Sequence, residues 1–249
     1  MTIRIFMIII LSNTRFILTS KETEGKEMSK YQQLRQRLIE NSNPEIASQM
    51  ESYLRNKFKF FGLKSPERRE SYHDLIKLEK ANKKIDWDFL DQAWADKHRE
   101  AQYFVCDYLI ALEKYLTFED IDHIFNYVKS KQWWDTIDSL IKPIGKIGLR
   151  DDRVNDLMLA WSQDDDFWIR RVAIEHQLLR KDKMNIELLN TILENNLDSS
   201  EFFINKAIGW ALRDYSKTNP DWVKDFISKH HAEMASLRLK REVSIYHEV

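Results

Sequence analysis

The segment Trp133-Trp-Asp-Thr-Ile-Asp-Ser-Leu-Ile-Lys-Pro143 carries side chains that a packed helix does not need. Read as a helix, it gathers Trp133, Ile137, Leu140, Ile141 and Ile144 on one apolar stripe, which is the buried face. Trp134 and Asp138 are four residues apart, so they stand one above the other on a different flank. An aromatic face beside a carboxylate attracts a cation, or a group that becomes cationic as it reacts, through ring quadrupole and charge together. Packing of Trp134 on a neighbouring helix, with Asp138 solvated, is the plainer alternative.

A second segment, Glu201 to Lys217, puts Ile204, Ala207, Ile208 and Ala211 on its apolar side. Lys206, Trp210, Arg213 and Lys217 line up on another side at spacings of four, three and four. Three cations and an indole on one stripe suit a phosphate backbone with an aromatic contact for a sugar or base, and a solvated basic face competes with that reading. After Asp166, the residues Trp168, Val172 and Ala173 read as core, leaving Arg171 to one side and free to reach toward a ligand. Residues 51–70, which include Tyr53, Lys57, Arg68 and Arg69, hold six Lys or Arg against three Glu. Brought to one groove, these segments make a basic surface with two tryptophans and one carboxylate at its centre. Such a surface fits a nucleic-acid backbone better than a peptide.

The elements that position these side chains read as helices throughout. Among 249 residues there are only 5 Gly and 4 Pro, with 32% charged and 43% apolar residues, a balance that favours an all-α protein. Amphipathic segments follow one another from Lys30 with short breaks, and none alternates with the period of a strand. Helices are expected near 30–40, 44–60, 66–81, 86–95, 98–114, 118–130, 132–148, 151–162, 166–180, 185–196, 201–216, 219–229 and 232–245. Ser65-Pro66 and Asn219-Pro220 each pair a capping side chain with a proline suited to a first turn, and Asp164 to Asp166 supply negative charge to another start. A dozen or so tightly linked helices imply a curved solenoid, a superhelix of degenerate HEAT-like helical pairs with an extended concave groove.

The formal net charge of -1 exerts no global pull toward nucleic acid or acidic membranes, so local charge decides. Cys106, the only cysteine, excludes an intramolecular disulfide and a zinc cluster and makes the cytoplasm the default compartment. The seven histidines lack metal-site spacing, so neither a metal nor a cofactor is expected. Ile5 to Leu11 is an apolar run behind Arg4, too short for a bilayer, which takes about 20 residues. No membrane partner is expected. Residues 1–27 read as a poorly ordered extension, with residues 28–249 forming a single, monomeric domain that begins at Met28.

These residues resemble the AlkD-type DNA alkylation repair family, HEAT-like-repeat DNA glycosylases that release positively charged alkylated purines. The resemblance runs from about Tyr31 to Tyr246. Its most specific pieces are Tyr53-Leu-Arg-Asn-Lys-Phe with Phe61-Gly-Leu and Pro66-Glu-Arg-Arg69, then Trp133-Trp-Asp-Thr-Ile-Asp138. Trp168-Ile-Arg-Arg171 and Phe202-Phe-Ile-Asn-Lys-Ala-Ile-Gly-Trp210, continuing through Arg213-Asp-Tyr-Ser-Lys-Thr-Asn-Pro220, complete it. The resemblance implies that Asp138 is the catalytic carboxylate, that Trp134 and Trp210 wall the deoxyribose of the lesion, and that Arg171 and Tyr53 touch the DNA. It also implies recognition of double-stranded DNA carrying alkylated bases without flipping the base, with Arg171, Lys206, Arg213 and Lys217 clamping phosphates.

The chemistry follows from the lesion itself. Alkylation at N3 or N7 makes a purine cationic, so it departs as a neutral molecule and needs no general acid, unlike an ordinary glycoside leaving group. One carboxylate then suffices, to stabilise the oxocarbenium-like sugar and orient water. A HEAT-like scaffold that binds DNA or protein without chemistry is the alternative on the same fold.

Overall fold

The computed structural model describes residues 28–231 and residue 234. The expected extension at 1–27 and the expected helix at 232–245 lie outside the described residues. Twelve α-helices follow in order among those residues: α1 (Lys30–Glu40), α2 (Pro44–Tyr53), α3 (Ser65–Asn82), α4 (Trp87–Ala95), α5 (Arg99–Ala111) and α6 (Ile121–Val128). After these come α7 (Trp134–Ile147), α8 (Arg153–Trp161), α9 (Phe167–Glu175), α10 (Ile186–Glu194), α11 (Phe202–Ser216) and α12 (Pro220–Lys229). Lys59 and His98 form an isolated bridge outside any strand. The all-α expectation holds.

Local chemistry sets many of the helix starts. Ser29 and Gln32 close a reciprocal capping box on α1, and Asn43, Asp86, Asp166, Asn185 and Asn219 each accept an amide hydrogen bond at a helix start. Asn219-Pro220 thus acts as the sequence suggests. Ser65 does not: it lies inside α3, and Lys64 occupies the cap position with no side-chain bond.

Helices α3, α5, α7, α9 and α11 pack successively on one another as one layer. A second layer backs it, with α4 on α5, α6 on α7, α8 on α9, α10 on α8 and α9, and α12 on α11. A continuous apolar core runs between the layers from Leu34 to Met234. Each fully buried Leu or Ile in it, such as Leu140 and Ile144, contributes roughly 1.5–3 kcal/mol. The result is the stacked helical-pair architecture that the periodicity implies.

Two expected helices end early, for backbone reasons. The one expected at 44–60 stops at Tyr53, because Arg55 and Asn56 take left-handed φ values of 57° and 56°. The chain then runs extended past Gly62, at φ 95°, where a Cβ would sit 2.0 Å from the Asn43 carbonyl oxygen. Buried Glu100 holds this strap by accepting from the amides of Phe61, Gly62 and Leu63 at 3.0, 2.8 and 3.2 Å. The helix expected at 166–180 ends at Glu175, ahead of Leu179 at φ 66°.

Candidate active site

Three hollows adjoin along α5, α7, α9 and α11, with α2 and α3 closing one end. The largest, a cavity of 640 Å³, is lined by Asp138, Lys142, Glu175, Trp210, Arg213 and Lys217 among others. Trp210 is shared with a second hollow, which holds Tyr53, Trp134, Arg171 and Lys206. Trp134 is shared in turn with a third, which holds Arg68, Arg69 and Asp135. The two tryptophans are therefore the partitions of one groove, and exposed cations stand along its whole length.

Helix α7 is fixed in this face by two acid–base staples three residues apart. Asp135 takes hydrogen bonds from Arg99 of α5, Nε at 2.9 Å and Nη2 at 2.6 Å, and another from the Tyr103 hydroxyl at 2.6 Å. Asp138 takes a forked pair from Arg171 of α9, Nε–H to Oδ1 at 2.9 Å and Nη2–H to Oδ2 at 3.1 Å. Arg171 also donates through Nη1 to the Phe203 carbonyl of α11 at 2.7 Å. The staples differ in access. The Asp135 side chain is 7% exposed, whereas that of Asp138 is 23% exposed and faces the cavity.

Glu175, one turn beyond Arg171 on α9, puts Oε1 2.9 Å from the same guanidinium. It lies off the N–H directions, so the contact is charge against charge, and Oε1 has no hydrogen-bond partner. Two carboxylates thus flank one buried cation, an arrangement in which both do not readily ionise. Burial pushes the Asp138 carboxyl above its usual range, and Arg171 pulls it part of the way back. Glu175 is pushed up by burial to about 8. The fork from Arg171 favours the ionised form on Asp138, whereas Glu175, buried with no hydrogen bond on Oε1, favours its protonated form.

The aromatic walls are set by contacts on either side. Trp134 meets Tyr53 edge to face with ring centroids 6.1 Å apart, and Tyr53 itself is 73% exposed. Above the Trp210 ring lie the Arg171 guanidinium at 5.1 Å and the Lys206 ammonium at 5.6 Å. Trp133 belongs to the core, as its position on the apolar stripe implies, although it precedes α7 in extended conformation instead of opening the helix. Lys57 and Arg55, projected by the left-handed turn after α2, cover its outer face at 4.7 and 5.9 Å.

The face thus gathers Tyr53, Trp134, Asp138, Arg171, Lys206, Trp210, Arg213 and Lys217. The expected single stripe on α11 is divided by Trp210, with Lys206 on one side and Arg213 and Lys217 on the other. Two expectations need correction. Arg171 does not reach outward from its helix; it is 1% exposed and committed to Asp138, Glu175 and the Phe203 carbonyl. Nor is Asp138 a lone anion. Sequence reasoning missed Glu175, although its spacing of four from Arg171 was a usable signal, and it missed Lys142, four beyond Asp138. Among the described residues, no group of three or more His, Cys, Asp or Glu is placed to hold a metal ion, and no helix is long and apolar enough to cross a membrane.

Fold and site together define a helical-repeat protein with a carboxylate–arginine–tryptophan centre in a cation-lined groove. Residues 34–242 match the family described as DNA alkylation repair enzyme, and the chain belongs to that family. A solved structure described as a predicted DNA alkylation repair enzyme from Enterococcus faecalis is 32% identical, with a TM-score of 0.74, over 82% of this chain and 96% of that one. AlkD2 from Streptococcus mutans shares the fold at 16% identity and a TM-score of 0.57, over 82% of this chain and all of its own. No curated protein sequence matches the chain.

Proposed function

We propose that the protein is a DNA glycosylase that excises positively charged alkylated purines, N3-alkyladenine and N7-alkylguanine, by hydrolysis of the N-glycosidic bond. Asp138 stabilises the oxocarbenium-like sugar and orients the attacking water, while Trp134 and Trp210 shield that sugar and face its charge with their rings. The cationic purine leaves neutral, so Asp138 needs no partner acid. Double-stranded DNA runs along the cation-lined groove, with Tyr53, Lys206, Arg213 and Lys217 against its backbone and without eversion of the damaged base. Arg171 acts from within, aligning Asp138 and bringing its positive charge to the groove floor. No cofactor takes part.

A single observation carries this reading: Asp138 is held by the same kind of arginine fork as Asp135, yet its side chain is 23% exposed, toward the largest of the three hollows, against 7% for Asp135. A carboxylate needed only as a staple, as in a non-catalytic HEAT-like scaffold, gains nothing from that opening. The experiment is release of 7-methylguanine or 3-methyladenine from methylated DNA by wild type and by Asp138→Asn. The variant is expected to lose at least ~100-fold in rate while still binding DNA; full activity would remove Asp138 from the chemistry.

A further inference from the structure

Arg171 Nη2 stands at 2.9 Å from Asp138 Oδ1 and at 2.9 Å from Glu175 Oε1, so one nitrogen serves two carboxylates. Only the Asp138 side is hydrogen-bonded, and the Glu175 oxygen is buried and unpartnered. The guanidinium therefore has an alternative anchor within a small rotation of its present one. That rotation gives up the Asp138 fork without return while Glu175 is uncharged, and it becomes favourable once Glu175 is charged.

We infer that Glu175 is a positioning residue that draws Arg171 away from Asp138 when a cation enters the groove, losing one proton to solvent as it does so. The inference rests on the glycosylase reading for the identity of the cation. In the empty site, the ionised Asp138 and Arg171 cancel, and Glu175 is neutral. A carboxylate so neutralised is poorly suited to stabilise a developing positive charge. With a cationic purine or sugar against Asp138, the group holds two positive charges and one negative. Ionisation of Glu175 then restores the balance: its O–H bond breaks, the electron pair stays on the carboxylate, and the proton leaves through the cavity that Glu175 lines.

The surroundings favour that loss. From α7 the cavity is faced by Asp138, Lys142 and Lys146, and from α11 by Arg213, Asp214 and Lys217. Glu113 stands 3.8 Å from Lys146 on the same lining, while His176 and Arg180 follow α9. His176 does not take the proton within the ordinary pH range, because burial, helped by the charge of Arg180, depresses the ring to about 3 against the opposing pull of its hydrogen bond to the Ala173 carbonyl. The cations outnumber the remaining anions, which helps a newly ionised Glu175. Its resting value of about 8 leaves it protonated at neutral pH, poised to respond.

The test is calorimetric titration at pH 7 in buffers of different ionisation enthalpy. Two DNA duplexes are compared, one with a cationic pyrrolidine and one with a neutral tetrahydrofuran in place of a single deoxyribose. Wild type is expected to release close to one more proton with pyrrolidine than with tetrahydrofuran. Glu175→Gln and Glu175→Leu are expected to release none extra, and their unchanged affinity for the tetrahydrofuran duplex, within about twofold, reports intact folding. Equal proton release by wild type and Glu175→Gln, or no extra release by wild type, would overturn the inference. Base release from methylated DNA is followed in parallel. Its absence in wild type counts against the glycosylase reading, whatever the calorimetry gives.

Discussion

Asp138 and Arg171 are joined by two parallel hydrogen bonds, one helix to the next, and the arginine end of the pair is buried while the aspartate end opens to the groove. The pair therefore links stability to chemistry. Arg171→Ala removes the cation that pulls the Asp138 carboxyl down against burial, so the acid limb of the pH–rate profile is expected to move to higher pH. Unfolding in urea is expected to report a loss of about 3 kcal/mol, since a buried carboxylate is left with a weakened set of partners. Arg171→Lys keeps the charge but loses the fork, and is expected to fall between. An unshifted acid limb in both variants would mean that Arg171 does not set the state of Asp138.

Trp134→Ala and Trp210→Ala are expected to lower the base-release rate about 3- to 30-fold each, the range of one ring-to-cation contact, with smaller changes in DNA affinity. Trp210 carries the further duty of covering Arg171, at 5.1 Å, and so is expected to cost more than Trp134. Single-turnover rates set beside equilibrium binding measure both. Equal losses in rate and affinity would reassign the indoles to simple binding.

The cations divide by depth. Arg213, in the last turn of α11, and Lys217, at its C-cap, are exposed, so replacing either by Ala is expected to weaken binding to every duplex alike and to lower the slope of log affinity against log salt by about 1. Arg171, buried, is expected to leave that slope nearly unchanged. Fluorescence anisotropy over a salt series distinguishes the two behaviours.

Much of this arrangement was legible because helical spacing places side chains on faces. The four-residue step from Trp134 to Asp138 and the 206-210-213-217 stripe needed no knowledge of neighbours, and the structure puts both on the groove. What sequence could not supply was the direction in which a charged side chain turns once its helix is packed. Arg171 sits beside core residues, and only the positions of α7 and α11 decide that it bonds Asp138 and the Phe203 carbonyl instead of solvent. The early end of α2 escaped for a related reason: the left-handed turn at Arg55 and Asn56 contains no glycine, so nothing local marked it.

Gly145 shows the same dependence on neighbours. A Cβ there would lie 2.3 Å from the His176 carbonyl oxygen, so α7 and the end of α9 touch through the glycine. Gly145→Ala is expected to destabilise the fold by about 1–3 kcal/mol, although alanine favours helix, and to disturb the Glu175 end of the site. A variant as stable as wild type in urea would show that the two segments can part at no cost.

Two buried titratable neighbours, Glu175 in the last turn of α9 and His176 capping it, bracket a pH window for stability. Glu175 has a folded-state value of about 8, above that of an unfolded glutamate, so its contribution is complete below pH ~4.3 and is lost as pH rises toward 8. His176 is displaced the other way, to about 3, so its contribution is complete above pH ~6.5 and is lost as pH falls toward 3. Both losses overlap between these limits, and thermal unfolding followed from pH 4 to 9 is expected to give lower stability at each end for separate reasons. Glu175→Gln isolates them. It removes a group that must either keep a proton or bury a charge, and is expected to recover on the order of a few kcal/mol at pH 8 while leaving the acid-side decline untouched. If the variant instead declines in parallel with wild type above pH 7, Glu175 is ionised in the resting protein and Arg171 is already shared between two anions.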